Sequence, residues 1–225
     1  MDVTEVVPGL RMLRFPVGAA YLWRDGEELT LVDTGAADRG GEIEAVLDGV
    51  LRRIVLTHWH EDHTGSAARL AGRYGAEVVA HRLDAPVVRG EAAGAPPVLE
   101  EFEVAIRAGI PPLPPAPPCR VDREVEDGDV LDFGGGAVVV AVPGHTDGSV
   151  ALHLPGPGIL VTGDAVANVG RTTLGVFNTD RARAVASLRR LAGLDVGTVV
   201  FGHGDPLTRG AAAALRRAAA AASAG

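Results

Sequence analysis

The hydrophobic and polar positions near the N-terminus predict a sheet that begins with antiparallel strands. Three short runs are rich in apolar and β-branched residues, and the pair Asp25 and Gly26 between the second and third runs is a typical turn signal. The runs cover residues 10–15, 19–23 and 28–32. We therefore expect neighbouring strands that run in opposite directions.

Helical and extended patterns alternate in the following segment. Residues 41–50 place Ile43, Val46, Leu47 and Val50 at a spacing that predicts an apolar helix face. A strand is predicted over residues 53–56, a helix over 66–74 and a strand over 77–80. Ligands usually bind where the strands of open α/β sheets end, so the loop after residue 56 is a candidate site.

Residues 90–119 differ in sequence pattern from the segments on either side. A short helical pattern covers residues 98–107, and prolines occupy many positions of residues 110–118. We predict an insertion between two halves of the chain. It is either a stiff polyproline spacer or a lid over a site.

After the insertion, the pattern again runs from strands to helices. Strands are predicted over residues 121–125, 130–133, 137–142, 150–154, 159–162 and 198–201, and helices over 180–191 and 211–222. Since both halves run from β to α, we expect two sheets packed face to face with helices outside.

The composition bounds the class of protein. A chain of 225 residues with 47% hydrophobic residues predicts a single domain over residues 1–225. No apolar stretch reaches the roughly 18 residues that cross a bilayer, and the N-terminus lacks the pattern of a secretory signal. We therefore expect a cytoplasmic protein without a membrane partner. Cys119 is the only cysteine, which excludes an internal disulfide and agrees with a reducing compartment.

The charge balance narrows the expected partners. The formal net charge is -8, whereas nucleic-acid binding depends on clustered Lys and Arg, so no nucleic-acid partner is expected. Lys is absent, and every cationic side chain is an Arg. An anionic group on a small-molecule substrate must then be held by an Arg, a backbone amide or a metal ion.

The stretch HWHEDH, residues 58–63, concentrates metal-binding chemistry directly after a predicted strand. A solvated polar loop does not explain it, because crowding histidines without partners costs on the order of a few kcal/mol. Imidazole and carboxylate ligands favour zinc or iron. The stretch offers three imidazoles, at His58, His60 and His63, and two carboxylates, at Glu61 and Asp62.

Three further candidate ligands also follow predicted strands. They are His145, Asp164 and His203, and neighbouring glycines permit sharp turns and close approach to an ion. A single His or Asp at a strand end is usually part of an ordinary turn. Four such strand ends in one chain predict a metal centre.

These motifs, together with Asp33 in the stretch LVDTG, resemble those of the metallo-β-lactamase superfamily, which includes glyoxalase II and the N-acylhomoserine lactonases. The resemblance spans nearly the whole chain in the family's order. It implies an α+β fold, a four-layer αββα sandwich of two packed mixed β-sheets with helices outside. It also implies two zinc ions per chain. One is held by His58, His60 and His145 and the other by Asp62, His63 and His203, with Asp164 bridging them and Asp33 orienting a ligand histidine.

The resemblance further implies a metal-dependent hydrolase. A hydroxide held by the two zinc ions would attack an ester, thioester or lactone of a small metabolite, and Asp62 or Asp164 would pass a proton to the leaving group. Arg171 is a candidate contact for an anionic substrate group, or a surface residue. Trp59 and Phe177 are candidate walls of an apolar pocket, or core residues.

Other members of the superfamily provide an alternative. Persulfide dioxygenases use one Fe(2+) with ligands that correspond to His58, His145 and Asp164. They carry the stretch GCGR where this chain has NVGR, so their cysteine is missing. The lactonases carry a Tyr just after the bridging Asp, where this chain has Ala165. A third hypothesis is a binding module that holds metal without turnover. The sequence does not predict an oligomeric state.

Overall fold

Two mixed β-sheets form the centre of the computed structural model, which describes residues 1–223. In the first sheet the strands lie side by side in chain order, antiparallel up to the fourth and parallel from there. They are β1 (Asp2–Val7), β2 (Leu10–Arg14), β3 (Ala19–Asp25), β4 (Glu28–Val32), β5 (Val50–Val55), β6 (Glu77–His81) and β7 (Arg123–Val125).

The second sheet holds five strands, and a separate hairpin follows its fourth strand in the chain. The sheet strands are β8 (Val130–Leu131), β9 (Ala137–Ala141), β10 (Val150–Leu154), β11 (Ile159–Val161) and β14 (Thr198–Val200). The hairpin strands are β12 (Val166–Val169) and β13 (Arg171–Leu174). Within the sheet, β14 and β11 are parallel and the remaining pairs are antiparallel.

Helices connect the strands or follow the last of them in the described residues. They are α1 (Gly40–Glu44), α2 (Glu61–Thr64), α3 (Ala67–Tyr74), α4 (Ala85–Val88), α5 (Glu101–Gly109), α6 (Arg181–Ala192) and α7 (Ala211–Ala222). α1 and α3 pack on the first sheet, and α6 and α7 pack on the second. Within residues 1–223, none of these helices has the length and apolar character that crossing a bilayer requires.

Alternation along the strands creates three buried layers. On β3, Tyr21 faces the core between the sheets, whereas Leu22 faces α1 and α3. On β10, Leu152 faces the same central core, whereas Ala151 faces α6 and α7. The Tyr21 hydroxyl donates a hydrogen bond of 2.7 Å to the carbonyl of Phe201 and so joins the two sheets. The predicted four-layer αββα sandwich is confirmed.

Several predicted elements have the expected bounds or nearly so. β4, β10 and α7 coincide with their predictions, and Gly26 forms the predicted turn with φ 60°. α6 begins one residue late because Asp180 is its N-cap residue and accepts a hydrogen bond of 3.0 Å from the N–H of Arg183.

The helix predicted over residues 41–50 ends early, at Glu44. The N–H of Val50 instead donates to the carbonyl of Glu27 at 2.8 Å and begins β5. A Cβ atom on Gly49 would lie 2.6 Å from that carbonyl oxygen, so glycine permits the close approach. Pairing with the sheet therefore outweighs the helical spacing.

The structure also places residues 121–125 differently from the sequence analysis. β7 is an edge strand of the first sheet, parallel to β6, rather than the start of the second sheet. Parallel neighbours need a crossover connection of about a dozen residues or more. The Pro-rich insertion at residues 90–119 is part of that crossover.

Candidate metal centre

The side chains predicted as metal ligands meet at one end of the two sheets. Each follows the carboxyl end of a strand. β5 leads into residues 58–63, β9 into the loop with His145, β11 into the turn with Asp164, and β14 into the loop with His203. Residues from both halves of the sequence therefore come together.

Three histidines converge on one point, and we call His58, His60 and His145 the first set. The Nε2 atoms of His58 and His145 lie 3.0 and 2.9 Å from Nδ1 of His60. Burial lowers the pKa of all three rings, that of His60 to about 3, so the rings are neutral. His60 can place at most one proton between these acceptors. At least one nitrogen lone pair then faces another with no hydrogen between them, and the two repel each other. A cation bound to these nitrogens removes the repulsion.

Hydrogen bonds on the far side of two of these rings fix their tautomers. Thr57 Oγ1 donates to Asp33 Oδ2 at 2.8 Å, so it accepts in its contact of 3.0 Å with His58 Nδ1. His145 Nδ1 donates to the carbonyl of Val176 at 3.0 Å. Both rings therefore present the Nε2 lone pair to the first set, as metal coordination requires.

A second set consists of Asp62, His63 and His203. The Nε2 atoms of His203 and His63 lie 3.1 and 3.5 Å from Asp62 Oδ2. Asp164 lies between the two sets. Its Oδ2 is 3.2 Å from His203 Nε2 and 3.7 Å from His145 Nε2. Its Oδ1 is 3.3 Å from His63 Nε2.

The histidines of the second set have raised pKa values, whereas those of the first set have lowered ones. Burial alone would lower the pKa of His63, but neighbouring carboxylates, Asp164 foremost, raise it well above its ordinary value. Asp164 is also the main cause that raises the pKa of His203 to about 10. Burial would raise the pKa of Asp62 and of Asp164, but the facing histidines hold both well below their usual range. In the absence of metal, the set pairs protonated imidazoles with ionised carboxylates.

Asp33 anchors the loop that carries the first motif. It directly follows β4 and has a left-handed backbone, φ 61°, which Asp adopts more readily than most residues. Its Oδ1 accepts from the N–H of Thr57, and its Oδ2 accepts from Thr57 Oγ1 and His63 Nδ1, each at 2.8 Å. His63 therefore presents Nε2 to the second set.

Two buried atoms test whether these residues fit a metal. Nε2 of His63 and Oδ1 of Asp164 lie 3.3 Å apart, but neither makes a well-aligned hydrogen bond to any of the described residues. Unpaired buried polar atoms are rare and costly. Both atoms belong to a donor set of imidazoles and carboxylates, the ligand chemistry that suits zinc or iron. The residues present fit a metal centre.

A cavity of about 460 Å³ opens beside His203, whose side chain is 31% exposed. Its walls include residues 15–19, the tip of the β12–β13 hairpin at residues 168–170, and residues 109–111 of the insertion. Arg14 and Asp205 also line it and form an ion pair of 2.6 Å. The charge on the wall is therefore largely compensated.

The three predicted substrate contacts lie outside this cavity lining. The Trp59 ring packs against Gly94 of the insertion, where a Cβ atom would lie 2.1 Å from the ring. Phe177 has φ 61°, and its N–H donates to Glu103 Oε1 of α5 at 2.9 Å. Arg171 is exposed at the start of β13. Their contact with substrate remains a prediction.

The insertion contacts the loop between β13 and α6 and lines the cavity beside His203. The N–H of Val98 donates to the carbonyl of Asn178 at 2.9 Å, next to the residue that Glu103 contacts. Its residues 109–111 form part of the cavity wall beside the second set. Cys119, at its end, is buried, and burial raises the pKa of its thiol to about 11. The thiol is therefore protonated and packs as a small apolar group.

Sequence reasoning missed Asp84, a buried carboxylate in the turn after β6. Its oxygens accept hydrogen bonds from Trp59, Thr146 and Gly148. The available signal was its position, because Asp84 follows a buried strand as the candidate ligands do.

Comparisons with known sequences agree with this geometry. The profile described as the Metallo-beta-lactamase superfamily matches residues 13–203. The probable metallo-hydrolase YflN of Bacillus subtilis is 28% identical over an alignment of 231 positions, which covers 91% of this chain and 87% of YflN. The hydroxyacylglutathione hydrolase of Acidiphilium cryptum is 32% identical over 202 residues, which cover 87% of this chain and 69% of that enzyme. The chain spans 61% and 59% of the length of two further hydroxyacylglutathione hydrolases.

A solved structure extends the likeness to three dimensions. TTHA1623 in a di-iron-bound form aligns with a TM-score of 0.68 and 30% identity, covering 91% of this chain and 96% of that chain. The matched residues 13–203 contain both ligand sets, Asp164 and Asp33. The chain therefore belongs to the metallo-β-lactamase superfamily.

Proposed function

We propose that the protein is a hydrolase that uses two zinc ions to cleave an ester, thioester or lactone of a small metabolite. One observation carries this proposal. The Asp164 carboxylate lies between two sets of ligands, with its Oδ2 3.7 Å from His145 Nε2 and 3.2 Å from His203 Nε2. A carboxylate shared by two complete sets is the arrangement that a pair of cations needs.

Two bound divalent ions would supply a nucleophile from water near neutral pH and would polarise the substrate carbonyl. The chain's own residues supply the rest of the chemistry. Asp62 and Asp164 are ionised and compensate about half of the four positive charges of two such ions. Asp164 Oδ2 faces both sets, so it is the first candidate to carry a proton to the leaving group, and Asp62 is the second.

The cavity beside His203 is the proposed route for substrate. Because Arg14 is paired with Asp205, the metal centre is the main positive partner for a substrate carbonyl there. The insertion at residues 109–111 then forms one wall of the entrance. Likeness to hydroxyacylglutathione hydrolases supports a thioester as the first substrate class to examine.

The alternative, a mononuclear iron dioxygenase, needs His58, His145 and Asp164 alone. It gives no role to the second set, whose buried His63 Nε2 makes no well-aligned hydrogen bond in the described structure. This favours two ions over one. Iron itself stays a candidate metal, since TTHA1623 was solved in a di-iron-bound form.

The test is hydrolysis by protein that has been stripped of metal and reloaded with measured amounts of zinc. A hydroxyacylglutathione thioester, a p-nitrophenyl ester and an acyl lactone are assayed in parallel. We expect hydrolysis of at least one of them to rise with zinc up to about two ions per chain. Protein that holds two zinc ions and hydrolyses none of the three contradicts the proposal. The dioxygenase alternative would be established if the iron-loaded protein consumed oxygen with a persulfide and the zinc-loaded protein hydrolysed none of the three substrates.

A further inference from the structure

A buried carboxylate outside the proposed ligand sets joins the two loops that supply the first set. Asp84 follows β6 and is 3% exposed. We propose that Asp84 is a positioning residue, which holds these two loops at the separation that a metal ion in the first set requires. The inference rests on the proposed metal centre.

The contacts of Asp84 divide between the two loops. Its Oδ2 accepts a hydrogen bond of 3.1 Å from the N–H of Trp59, the residue between the first two histidines of the set. The same oxygen accepts a hydrogen bond of 2.7 Å from Thr146 Oγ1, and Thr146 directly follows the third histidine. Oδ1 of Asp84 accepts a hydrogen bond of 2.8 Å from the N–H of Gly148. One side chain therefore connects both loops.

These loops need such a connection because they belong to different sheets. One follows β5 of the first sheet and the other follows β9 of the second. The ring nitrogens of His60 and His145 nevertheless lie 2.9 Å apart. Metal coordination tolerates errors in ligand distance of only about 0.2 Å, so a small shift between the sheets would weaken the site.

A helix cap would be the ordinary role for an Asp at this position, and the structure does not show it. Asp84 is the N-cap residue of α4, but its side chain makes no capping hydrogen bond to that helix. The carboxylate turns to the ligand loops instead. A Cβ atom on Gly148 would lie 2.5 Å from Asp84 Oδ1, so the loop approaches as closely as glycine permits.

The energetics agree with positioning rather than with stabilisation of the fold. Burial raises the pKa of Asp84 to about 6, although its three hydrogen bonds lower it. In the described part of the chain, no Arg forms an ion pair with it. A buried carboxylate held by neutral donors contributes little net stability, because desolvation offsets its hydrogen bonds.

The test measures zinc binding by the first set alone. His203→Ala removes a ligand of the second set, so the remaining ion reports on the first set. In this background, Asp84→Asn keeps the shape of the side chain but turns an NH2 group toward N–H or O–H donors. We expect the zinc Kd to rise about 10–100-fold. Asp147→Asn is the matched control, since Asp147 is an exposed residue of the same loop that pairs with Arg183. Its Kd should stay within about twofold of the parent.

Further measurements separate positioning from folding. The metal-free Asp84→Asn protein should lose some stability but stay folded at the temperature of the zinc titration, as thermal unfolding would show. Cobalt bound in place of zinc should have absorption bands that differ from those of the parent. Thr146→Val removes one of the three hydrogen bonds and keeps the charge, so it should raise the Kd about three- to tenfold. Unchanged zinc and cobalt binding in both variants would overturn the inference and leave the proposed function standing. A wild-type chain that binds no zinc would overturn the proposed function first.

Discussion

The two sets of candidate ligands lie side by side but differ in charge. The first set has three neutral histidines, whose pKa values burial lowers. The second set pairs histidines with Asp62 and Asp164, and these carboxylates raise the pKa of His203 to about 10. A metal entering the first set meets free lone pairs, whereas a metal entering the second must displace protons. Similar ligand types therefore give unlike sites.

The two sets also differ in what holds them in place. Asp33 contacts His63 of the second set directly and His58 of the first set through Thr57. Asp84 contacts the two loops that supply the first set, next to its histidines, and contacts no ligand of the second set. Each set joins the two sheets, but only the first has residues beside its ligands in both loops, Trp59 and Thr146, bonded to one carboxylate. The second set depends more on charge.

The largest expected effect comes from Asp164, the residue that faces both sets. Asp164→Ala should lower kcat/KM by about a thousandfold and reduce metal content at the same time, because both sets lose a carboxylate oxygen. Parallel assays of zinc content and hydrolysis measure this. Asp147→Asn, at an exposed position, is the control and should retain both. Full metal content and full activity in Asp164→Ala would remove this residue from the mechanism.

A change of pH should separate the two sets. His203 binds its proton with a pKa of about 10 in the absence of metal, so zinc must displace that proton at pH 6–8. His63 is also protonated in the absence of metal, so zinc must displace two protons, and affinity at the second set should fall about a hundredfold for each unit by which pH falls. The first set should change little, because its histidines are already neutral in this range. Zinc titrations at pH 6, 7 and 8 test this. Equal pH slopes for the two ions would show that the sets are alike.

Asp33→Asn should weaken both sets, in contrast to Asp84→Asn. Asn tolerates the left-handed backbone at this position, but its NH2 group faces donors from Thr57 and His63. We expect a fall of about tenfold or more in zinc affinity. Titration of the variant, compared with Asp84→Asn, measures the effect. A loss confined to the first set would contradict a role for Asp33 in both.

The smallest expected effect comes from the hydrogen bonds that Tyr21 makes between the two sheets. Tyr21→Phe removes the hydroxyl that donates to the carbonyl of Phe201 and accepts from its N–H, two residues before His203. The free energy of unfolding should fall by about 1–2 kcal/mol, with little change in zinc affinity of the first set. Urea unfolding of the metal-free protein measures this. Unchanged stability would show that the hydroxyl does not hold the sheets together.

The sequence predicted those parts of the molecule that local patterns determine. The HWHEDH stretch and the ends of β5, β9, β11 and β14 placed the candidate ligands, because apolar runs define the strands that carry them. The four-layer fold came from the resemblance that these motifs support, and the family match confirms it.

Features that depend on distant contacts were not predictable. β1 is an exposed edge strand that is defined by its pairing with β2, and β7 belongs to the first sheet through its pairing with β6. Asp84 reads as a turn or cap residue in the sequence. Its bonds to Trp59 and Thr146 join residues far apart in the chain, so only the structure reveals them.

The most direct test of a centre with two unlike halves is a crystal structure of the zinc-loaded protein with anomalous data at the zinc edge. Two peaks are expected, one among His58, His60 and His145 and one among Asp62, His63 and His203, with Asp164 between them. At low pH the second peak should weaken first. A single peak at neutral pH, or a peak at neither set, would contradict a centre of two ions.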